Sequence, residues 1–324
     1  MGKRRVLVCL LAVLSLAGCT QDGNVKVRPA KTGQITVGFS QIGESSRWRA
    51  ANTKSIKNSL GIENVRLIFA VAGLSRDKQV ADIQSFIRDK VDVIAFSPVV
   101  ETGYDDVLRQ AKAAGIPVIL TDRAIKTSDT GLYISSIGSN FIAEGSSAAV
   151  WVKGTFRNTV KPVNIVELEG TVGSAPAVQR KAGFLEGLGG DARFRIVASA
   201  NGNFSRTEGE AAMKTVLKSH RDIDVVFAQN DDMGIGALAA LQAAGKQPGK
   251  DVKVVTIDAI HDGLVELSQG KINYIVECNP LIGPQLTELI KDVYLGIPVP
   301  KRVDTNETVF FPDSVRDYIN DRAY

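Results

Sequence analysis

Residues 35–69 read ITVGFSQIGESSRWRAANTKSIKNSLGIENVRLIF, and they set a pattern that the rest of the chain repeats. A short β-branched run, Ile35–Phe39, predicts a strand, and residues 48–60 predict a helix. Another apolar run, Val65–Phe69, predicts a second strand. A strand, a helix and a strand in this order indicate a βαβ unit, whose two strands lie parallel in one sheet.

This alternation of strand and helix continues in two series of about equal length, over residues 35–137 and 143–257. The predicted strands are apolar with little alternation, which is typical of parallel sheets covered by helices on both faces. The two series therefore predict an α/β fold with two doubly wound parallel-sheet lobes. Residues 260–324 are too few for a third lobe, so we expect them to return and complete both sheets.

The first thirty residues predict export from the cytoplasm. A basic cluster at residues 3–5 precedes an apolar run over residues 6–16, which is shorter than the roughly 20 residues of a membrane-spanning helix. The run ends Leu-Ala-Gly-Cys19, which resembles the bacterial lipobox, where the signal is cut off and the cysteine is acylated. We expect a signal peptide at residues 1–18, a lipid anchor on Cys19 and a polar tether over residues 19–33. An ordinary cleaved signal with an incidental cysteine is the alternative.

Composition excludes several classes of protein. The net charge is only +4, and three basic residues belong to the predicted signal, so the exported chain carries about +1. A nucleic-acid-binding protein would show a dense basic patch. Three cysteines and two histidines are too few for a disulfide scaffold or a four-ligand metal site. We expect a monomer with no nucleic-acid partner, no metal and no cofactor, in which Cys278 is the free cysteine.

Polar and aromatic side chains follow the predicted strands. Ligands of open α/β sheets bind beyond the carboxyl ends of the strands, so these side chains are candidates for a binding site. Carboxylates, amides and arginines pair with hydroxyl groups, and aromatic faces cover the C–H face of a sugar ring. The pattern therefore suits a ligand rich in hydroxyl groups. The candidates are Ser40, Trp48, Arg49, Asp122, Arg123, Phe204, Asn230 and Asp258.

Each candidate also has a structural alternative. Asp122 and Arg123 could form a surface ion pair, and Trp48 could belong to the core of a lobe. One residue of the run at 230–232 is expected to cap the following helix, while Asn230 itself is expected to face the cleft.

Seven short motifs in the same order make the chain similar to a known family. It resembles the ribose-binding-protein-like substrate-binding proteins of ABC sugar importers, over about residues 34–312. Residues 39–49, 167–173 and 180–184 resemble its galactofuranose-binding branch. The motifs are Gly38-Phe-Ser-Gln41, Ser97-Pro98, Ile116–Arg123, Gly183-Phe184, Gln229–Met233, Ile257-Asp258 and Gly296 to Pro298.

The resemblance implies a lipid-anchored, extracytoplasmic protein that captures a monosaccharide and delivers it to an importer permease and its ATPase. Three chain crossings near Gly138, Asn279 and Val303 would join its two lobes. The first lobe would take residues 34–137 and 279–303, and the second would take residues 138–278 and 304–324. Closure of the lobes would trap the sugar.

Site residues also follow from the resemblance, as implied roles. Ser40 and Arg49 would contact the sugar, and Trp48 and Phe204 would stack on its ring. Asp122, Arg123, Asn230 and Asp258 would hold its hydroxyl groups. Glu277, near the last hinge crossing, would be a further ligand contact.

Two departures argue against ribose as the ligand. Val178, with Arg180 nearby, stands where ribose binders place an arginine, and Ser97 replaces an asparagine.

Two other functions compete with sugar delivery. The same fold could present a sugar or small signal to a membrane receptor. An enzyme is disfavoured, because the chain has no nucleophile elbow, no phosphate-binding loop and no dinucleotide-binding motif after a strand. A DNA-binding regulator is disfavoured because a secretion signal, and no helix-turn-helix, precedes the lobes.

Overall fold

The computed structural model describes residues 33–43, 46–322 and 324. The predicted signal peptide, the predicted anchor Cys19 and all of the predicted tether except Gly33 lie outside these residues. The described ranges form twelve strands and ten α-helices, which we label in chain order. The strands are β1 (Ile35–Gln41), β2 (Val65–Val71), β3 (Val93–Phe96), β4 (Val118–Thr121), β5 (Ser135–Gly138), β6 (Val163–Glu169), β7 (Phe194–Asn201), β8 (Val225–Ala228), β9 (Lys253–Asp258), β10 (Tyr274–Glu277), β11 (Arg302–Asp304) and β12 (Val309–Phe310). The helices are α1 (Arg47–Leu60), α2 (Arg76–Arg88), α3 (Asp105–Ala113), α4 (Phe141–Thr155), α5 (Ala175–Leu188), α6 (Arg206–Ser219), α7 (Asp231–Ala243), α8 (His261–Ser268), α9 (Gly283–Leu295) and α10 (Arg316–Ile319).

The strands form two sheets of six. The order is β2-β1-β3-β4-β5-β11 in the first sheet and β7-β6-β8-β9-β10-β12 in the second. Neighbouring strands are parallel, except that β12 runs antiparallel to β10. In each sheet the first strand of the series lies inside, and the chain winds outward from it in both directions. The predicted α/β fold with two doubly wound parallel-sheet lobes is confirmed.

Three segments, which we call the hinge segments, connect the two sheets. Residues 139–140 follow β5 of the first sheet and lead into α4, which packs on α5 of the second lobe. Residues 278–282 lead from β10 of the second sheet to α9, which packs on α1 of the first lobe. Residues 305–308 lead from β11 of the first sheet to β12 of the second. The C-terminal part of the chain therefore completes both sheets, as expected.

The sequence pattern does not predict α8 or β11. His261 is the first residue of α8. None of the described helices is both long enough and apolar enough to cross a membrane.

Helices α4 and α5 approach each other closely because both carry glycine at the contact. A Cβ atom on Gly145 would lie 2.0 Å from the carbonyl oxygen of Arg180, and a Cβ on Gly183 would meet the backbone of α4 at the same distance. No side chain fits there. This contact brings Arg180 of α5 beside Glu144 of α4, at the edge of the cleft described next.

Candidate functional site

A cavity lies between the two lobes, at the carboxyl ends of strands from both sheets. Seven of the predicted site residues line it together: Trp48, Arg49, Asp122, Arg123, Phe204, Asn230 and Asp258. The sequence prediction that strand ends from both lobes converge on one cleft therefore agrees with the geometry.

Two predicted residues do not line this cavity. Ser40 is fully buried, and its hydroxyl donates to the carboxylate of Asp82 at 3.0 Å. Glu277 accepts a hydrogen bond from Arg322 at 2.5 Å and another from the hydroxyl of Tyr324 at 3.1 Å. Both side chains have partners within the protein and neither lines the cavity, so their expected role as ligand contacts stays a prediction.

The first lobe contributes a buried charged pair. Arg49 Nη2 donates to Asp122 Oδ2 at 2.5 Å, and the hydroxyl of Ser97 donates to the same oxygen at 3.1 Å. Burial raises the pKa of Asp122, but Arg49 and Arg123 outweigh burial and lower it below its usual value. Asp122 is therefore a carboxylate at neutral pH. Arg123 Nε also lies 3.8 Å from Asp122 Oδ2, and because Asp122 and Arg123 are both almost fully buried, their pairing is not a surface ion pair.

Arg123 offers the cavity a hydrogen-bond donor that the described residues leave unused. Its Nη1 donates to the carbonyl oxygen of Val99 at 3.1 Å, but its buried Nε has no hydrogen-bond partner in the described part of the chain. Burial and the neighbouring Arg49 lower the pKa of Arg123 to about 10, so it stays charged at neutral pH. A buried N–H without a hydrogen-bond acceptor is costly, and a ligand oxygen would supply that acceptor.

The second lobe contributes Arg180, held by three partners. Its Nε donates to Glu144 at 2.7 Å, its Nη1 donates to the carbonyl oxygen of Gln229 at 2.5 Å, and its Nη2 lies 3.5 Å from Asp258. Burial disfavours the charge on Arg180, but Glu144 and the other acidic neighbours raise its pKa above the usual value. Burial raises the pKa of Asp258 well above its ordinary range, although Arg180 opposes the shift. Arg180 is thus a fixed cation in the cleft.

Asn230 has two roles in the same lobe. Its side-chain oxygen accepts from the backbone N–H of Met233 at 3.0 Å and caps α7, while its Nδ2 donates to the carbonyl oxygen of Phe204 at 3.3 Å. The expected cap and the expected cleft residue are therefore the same side chain. Asp231 and Asp232 lie elsewhere, paired with Thr256 and Arg206 respectively.

Two aromatic side chains form walls of the cavity. The indole N–H of Trp48 in α1 donates to the carbonyl oxygen of Cys278 in a hinge segment at 2.6 Å. The ring of Phe204 lies near two cations, with its centroid 5.8 Å from Arg123 and 6.0 Å from Arg180. Each wall is thus fixed next to the charged groups, where a ring with both hydroxyl and C–H faces can be held.

The backbone around the cavity adopts uncommon conformations. Asp122 and Phe204 each have a φ of 60°, and Asp258 has a φ of 122°. Non-glycine residues rarely adopt such values, which concentrate at functional sites. Two of these residues, Asp122 and Phe204, lie against glycines that leave room for them. A Cβ on Gly138 would lie 2.5 Å from the carbonyl oxygen of Asp122, and a Cβ on Gly170 would lie 1.8 Å from the ring of Phe204.

Sequence reasoning missed several lining residues, of which Arg180 is the most informative. Val178, aligned with an arginine of ribose binders, is 45% exposed, whereas Arg180 is 3% exposed. Two residues of helix turn a side chain by about 200°, so the two positions lie on opposite faces of α5. Arg180 shares the buried face of α5 with Ala177 and Phe184, which stand three residues before it and four after it. This helical spacing with apolar residues is the sequence signal that could have predicted a buried Arg180. The others are Ile42, Ser46, Leu74, Phe141, Thr171, Pro176, Asn203 and Cys278.

Glu144, Cys278 and Glu307 each place one donor atom within 4.8 Å of the others, next to the cleft. We assign no metal to this group, because Arg180 already pairs with Glu144. In addition, burial raises the pKa of the Cys278 thiol well above its usual value, so the thiol keeps its proton.

A family profile, one Escherichia coli protein and two solved structures each match most of this chain. The profile of the family described as "Periplasmic binding protein domain" matches residues 37–296. The Galactofuranose-binding protein YtfQ of Escherichia coli K12 is 37% identical over 287 residues, covering 87% of this chain and 90% of that protein. A crystal structure from Mycobacterium smegmatis in complex with β-D-fucofuranose is 52% identical, with a TM-score of 0.87, and covers 90% of this chain and 95% of that one. The periplasmic binding protein of the arabinose ABC transporter from Shewanella sp. ANA-3, bound to α- and β-L-arabinofuranose, is 34% identical with a TM-score of 0.84, covering 89% of this chain and 96% of that one.

Proposed function

Because this chain belongs to the family of periplasmic binding protein domains, we propose that it captures a monosaccharide in its furanose form and delivers it to an ABC importer. The family is one of substrate-binding proteins, so the prediction that the chain is not an enzyme is confirmed. The protein is extracytoplasmic, as its family is. A lipid on Cys19 would keep it at the membrane surface, beside the permease and ATPase that receive the sugar.

One observation carries the proposal. Buried charges of both lobes and two aromatic walls converge on one cavity between the lobes. Arg123 contributes a buried N–H that lacks an acceptor, and a sugar oxygen supplies one. An uncharged ligand with many hydroxyl groups satisfies these donors and acceptors, whereas an apolar ligand would leave them unpaired.

The furanose ring is supported by the relatives. The three compared proteins are described with galactofuranose, β-D-fucofuranose and L-arabinofuranose, which share a five-membered ring and differ in their substituents. The proposal for this chain is accordingly the ring form, with a galactose-like or fucose-like sugar as the preferred ligand.

The proposed roles follow the placement of the side chains. Trp48 and Phe204 cover the C–H faces of the ring. Arg49 holds Asp122 in place, and Asp122 accepts from sugar hydroxyls while Arg123 donates to sugar oxygens. The second lobe adds its own polar contacts, from Arg180, Asn230 and Asp258.

Because contacts come from both lobes, sugar binding favours the closed arrangement. The open and closed forms are in equilibrium, and the ligand shifts it by its higher affinity for the closed form. The importer then recognises the closed form, in which the two lobes present one continuous surface.

Isothermal titration calorimetry of the purified protein tests this function. We expect D-fucose and D-galactose, whose solutions contain furanose rings, to bind. Methyl β-D-galactofuranoside should compete with them, whereas methyl β-D-galactopyranoside, the matched control with a six-membered ring, should not. Absence of binding by every sugar would refute sugar capture, and competition by the pyranoside alone would refute the furanose ring.

A further inference from the structure

We propose that Glu307 is a positioning residue that joins the three hinge segments, and that closing the cleft on a sugar takes up a proton there. The inference rests on the proposed function, since it concerns the closure that traps the ligand. It concerns a residue that neither lines the cavity nor belongs to the predicted site.

The carboxylate of Glu307 receives hydrogen bonds from all three hinge segments. The hydroxyl of Ser139, directly after β5, donates to its Oε1. The backbone N–H of Asn279, in the segment after β10, donates to the same oxygen at 3.2 Å. The hydroxyl of Thr305, directly after β11, donates to it at 2.8 Å. Rotation of one lobe against the other moves these three segments, so the hydrogen bonds to this one oxygen atom change when the cleft closes.

A buried oxygen beside Glu307 lacks a donor. Oε1 of Glu144 has no hydrogen-bond partner among the residues that the structure describes, while Oε2 accepts from Arg180 at 2.7 Å. One carboxylate oxygen of Glu144 and one of Glu307 lie within 4.8 Å of each other. A proton on Glu307 removes the repulsion between two buried negative charges.

Several charged or titratable groups lie on the elements packed around this position. They are Glu144 on α4, Arg180 on α5, Asp258 on β9, Glu277 and Cys278 at the end of β10, Arg302 on β11 and Arg322 near the C-terminus. Arg180 pairs with Glu144 and Asp258, and Arg322 pairs with Glu277. Arg302 donates to the carbonyl oxygen of Ser139 at 2.7 Å and pairs with Asp304. The cations near Glu307 are thus engaged with other partners.

The net effect on Glu307 favours its protonated form. Burial and the negative charge of Glu144 raise its pKa to about 7, although the hydrogen bonds from Ser139, Thr305 and Asn279 oppose the shift. A hydrated glutamate has a pKa of about 4.3. In the described structure the lobes touch across the cleft, because Arg47 of α1 pairs with Asp262 of α8 and the backbone N–H of Glu101 donates to the carbonyl oxygen of Gly173 at 3.1 Å. In this proposal, opening the cleft hydrates the Glu307 carboxylate.

The direction of the pH dependence follows from this difference. The closed form has the higher pKa, so it holds a proton between about pH 4.5 and pH 7 that the open form releases. Sugar affinity therefore rises as the pH falls through this window. Between pH 7.5 and pH 6 the expected rise is roughly eightfold for a single group with these two pKa values.

Calorimetry in two buffers measures the proton directly. At pH 6.5, D-fucose is titrated into the protein in phosphate, which has a small enthalpy of ionisation, and in Bis-Tris, which has a larger one. We expect the wild-type protein to take up more than half a proton per sugar bound. Glu307→Gln, whose amide oxygen still accepts from the three hinge segments, should bind the sugar with less than half of the wild-type proton uptake, the remainder belonging to other buried carboxyl groups such as Asp258.

Two further variants make the test specific. Glu288→Gln changes an exposed glutamate of α9 and should leave the uptake unchanged. Glu144→Gln removes the charge that raises the pKa of Glu307, and uptake at pH 6.5 should fall even though Glu307 is present. Sugar binding without proton uptake, or more than half of the wild-type uptake retained in Glu307→Gln, would overturn the role of Glu307 alone. Absence of sugar binding in both buffers would overturn the proposed function as well.

Discussion

Arg49 of α1 donates to the carboxylate of Asp122 at 2.5 Å, and the two side chains are only 6% and 5% exposed. The two residues are 73 positions apart in the chain, and the bond joins the first helix of the first lobe to the end of β4. Removing one side chain of such a buried pair is strongly destabilising, because the remaining side chain is left charged and without its partner. The candidate site is therefore built on a contact within the first lobe that forms without a ligand.

Asp122→Ala should weaken sugar binding by about 2–5 kcal/mol, as truncating one partner of a buried charged pair does. The loss combines the missing acceptor for sugar hydroxyls with the disorganisation of Arg49. Titration calorimetry measures it. Asp106→Ala, which changes a side chain that is 92% exposed, is the matched control and should bind normally. Near-wild-type affinity in Asp122→Ala would remove Asp122 from the site.

Arg123→Lys should weaken sugar binding by about 1.5–3 kcal/mol, the range for a hydrogen bond to a charged group. Lysine keeps the charge but lacks the Nε that has no partner in the described structure. The melting temperature without sugar measures the separate cost of disturbing the bond from Nη1 to the carbonyl oxygen of Val99. Arg109→Lys, on the exposed surface of α3, serves as the control. Unchanged affinity would show that the Nε does not reach the sugar.

Gly170→Ala should lower sugar affinity about tenfold, which corresponds to about 1.4 kcal/mol. The added methyl group would lie 1.8 Å from the ring of Phe204 and must push that ring out of the cavity wall. Gly154→Ala is the matched control, because a Cβ there meets nothing within 4 Å. If both variants bind alike, the position of Phe204 does not matter for the ligand.

Cys19→Ala should release the protein from membranes. The prediction depends on the lipobox-like end of the signal and on a lipid being attached to that thiol. Fractionation of expressing cells measures it, with Cys278→Ala, which changes a buried thiol far from the signal, as the control. Persistent pelleting of Cys19→Ala with membranes would contradict the anchor.

The alternation of strands and helices was predictable from the sequence because apolar periodicity dominates this fold. β11 was not, since Arg302–Asp304 has three residues and no apolar run, and only its pairing with β5 makes it a strand. α8 has just eight residues, too few for a clear helical period. Short elements of this kind are determined by tertiary contacts rather than by local pattern.

The binding site was predictable to the extent that position at a strand end determines it. Seven of the predicted side chains line the cavity because they follow strands at the edge where ligands bind. Glu277 also ends a strand, yet it pairs with Arg322, which the chain brings back from 45 residues away. Local sequence does not reveal such a partner. Ser40 likewise lies near a strand end, and its hydroxyl donates to Asp82.

A crystal structure of the protein grown with D-fucose is the most direct test of furanose capture in the cleft. We expect a five-membered ring between Trp48 and Phe204, with sugar oxygens bound by Asp122 and by the Nε of Arg123. A six-membered ring in the cleft, or a sugar bound elsewhere while the cleft stays empty, would contradict it.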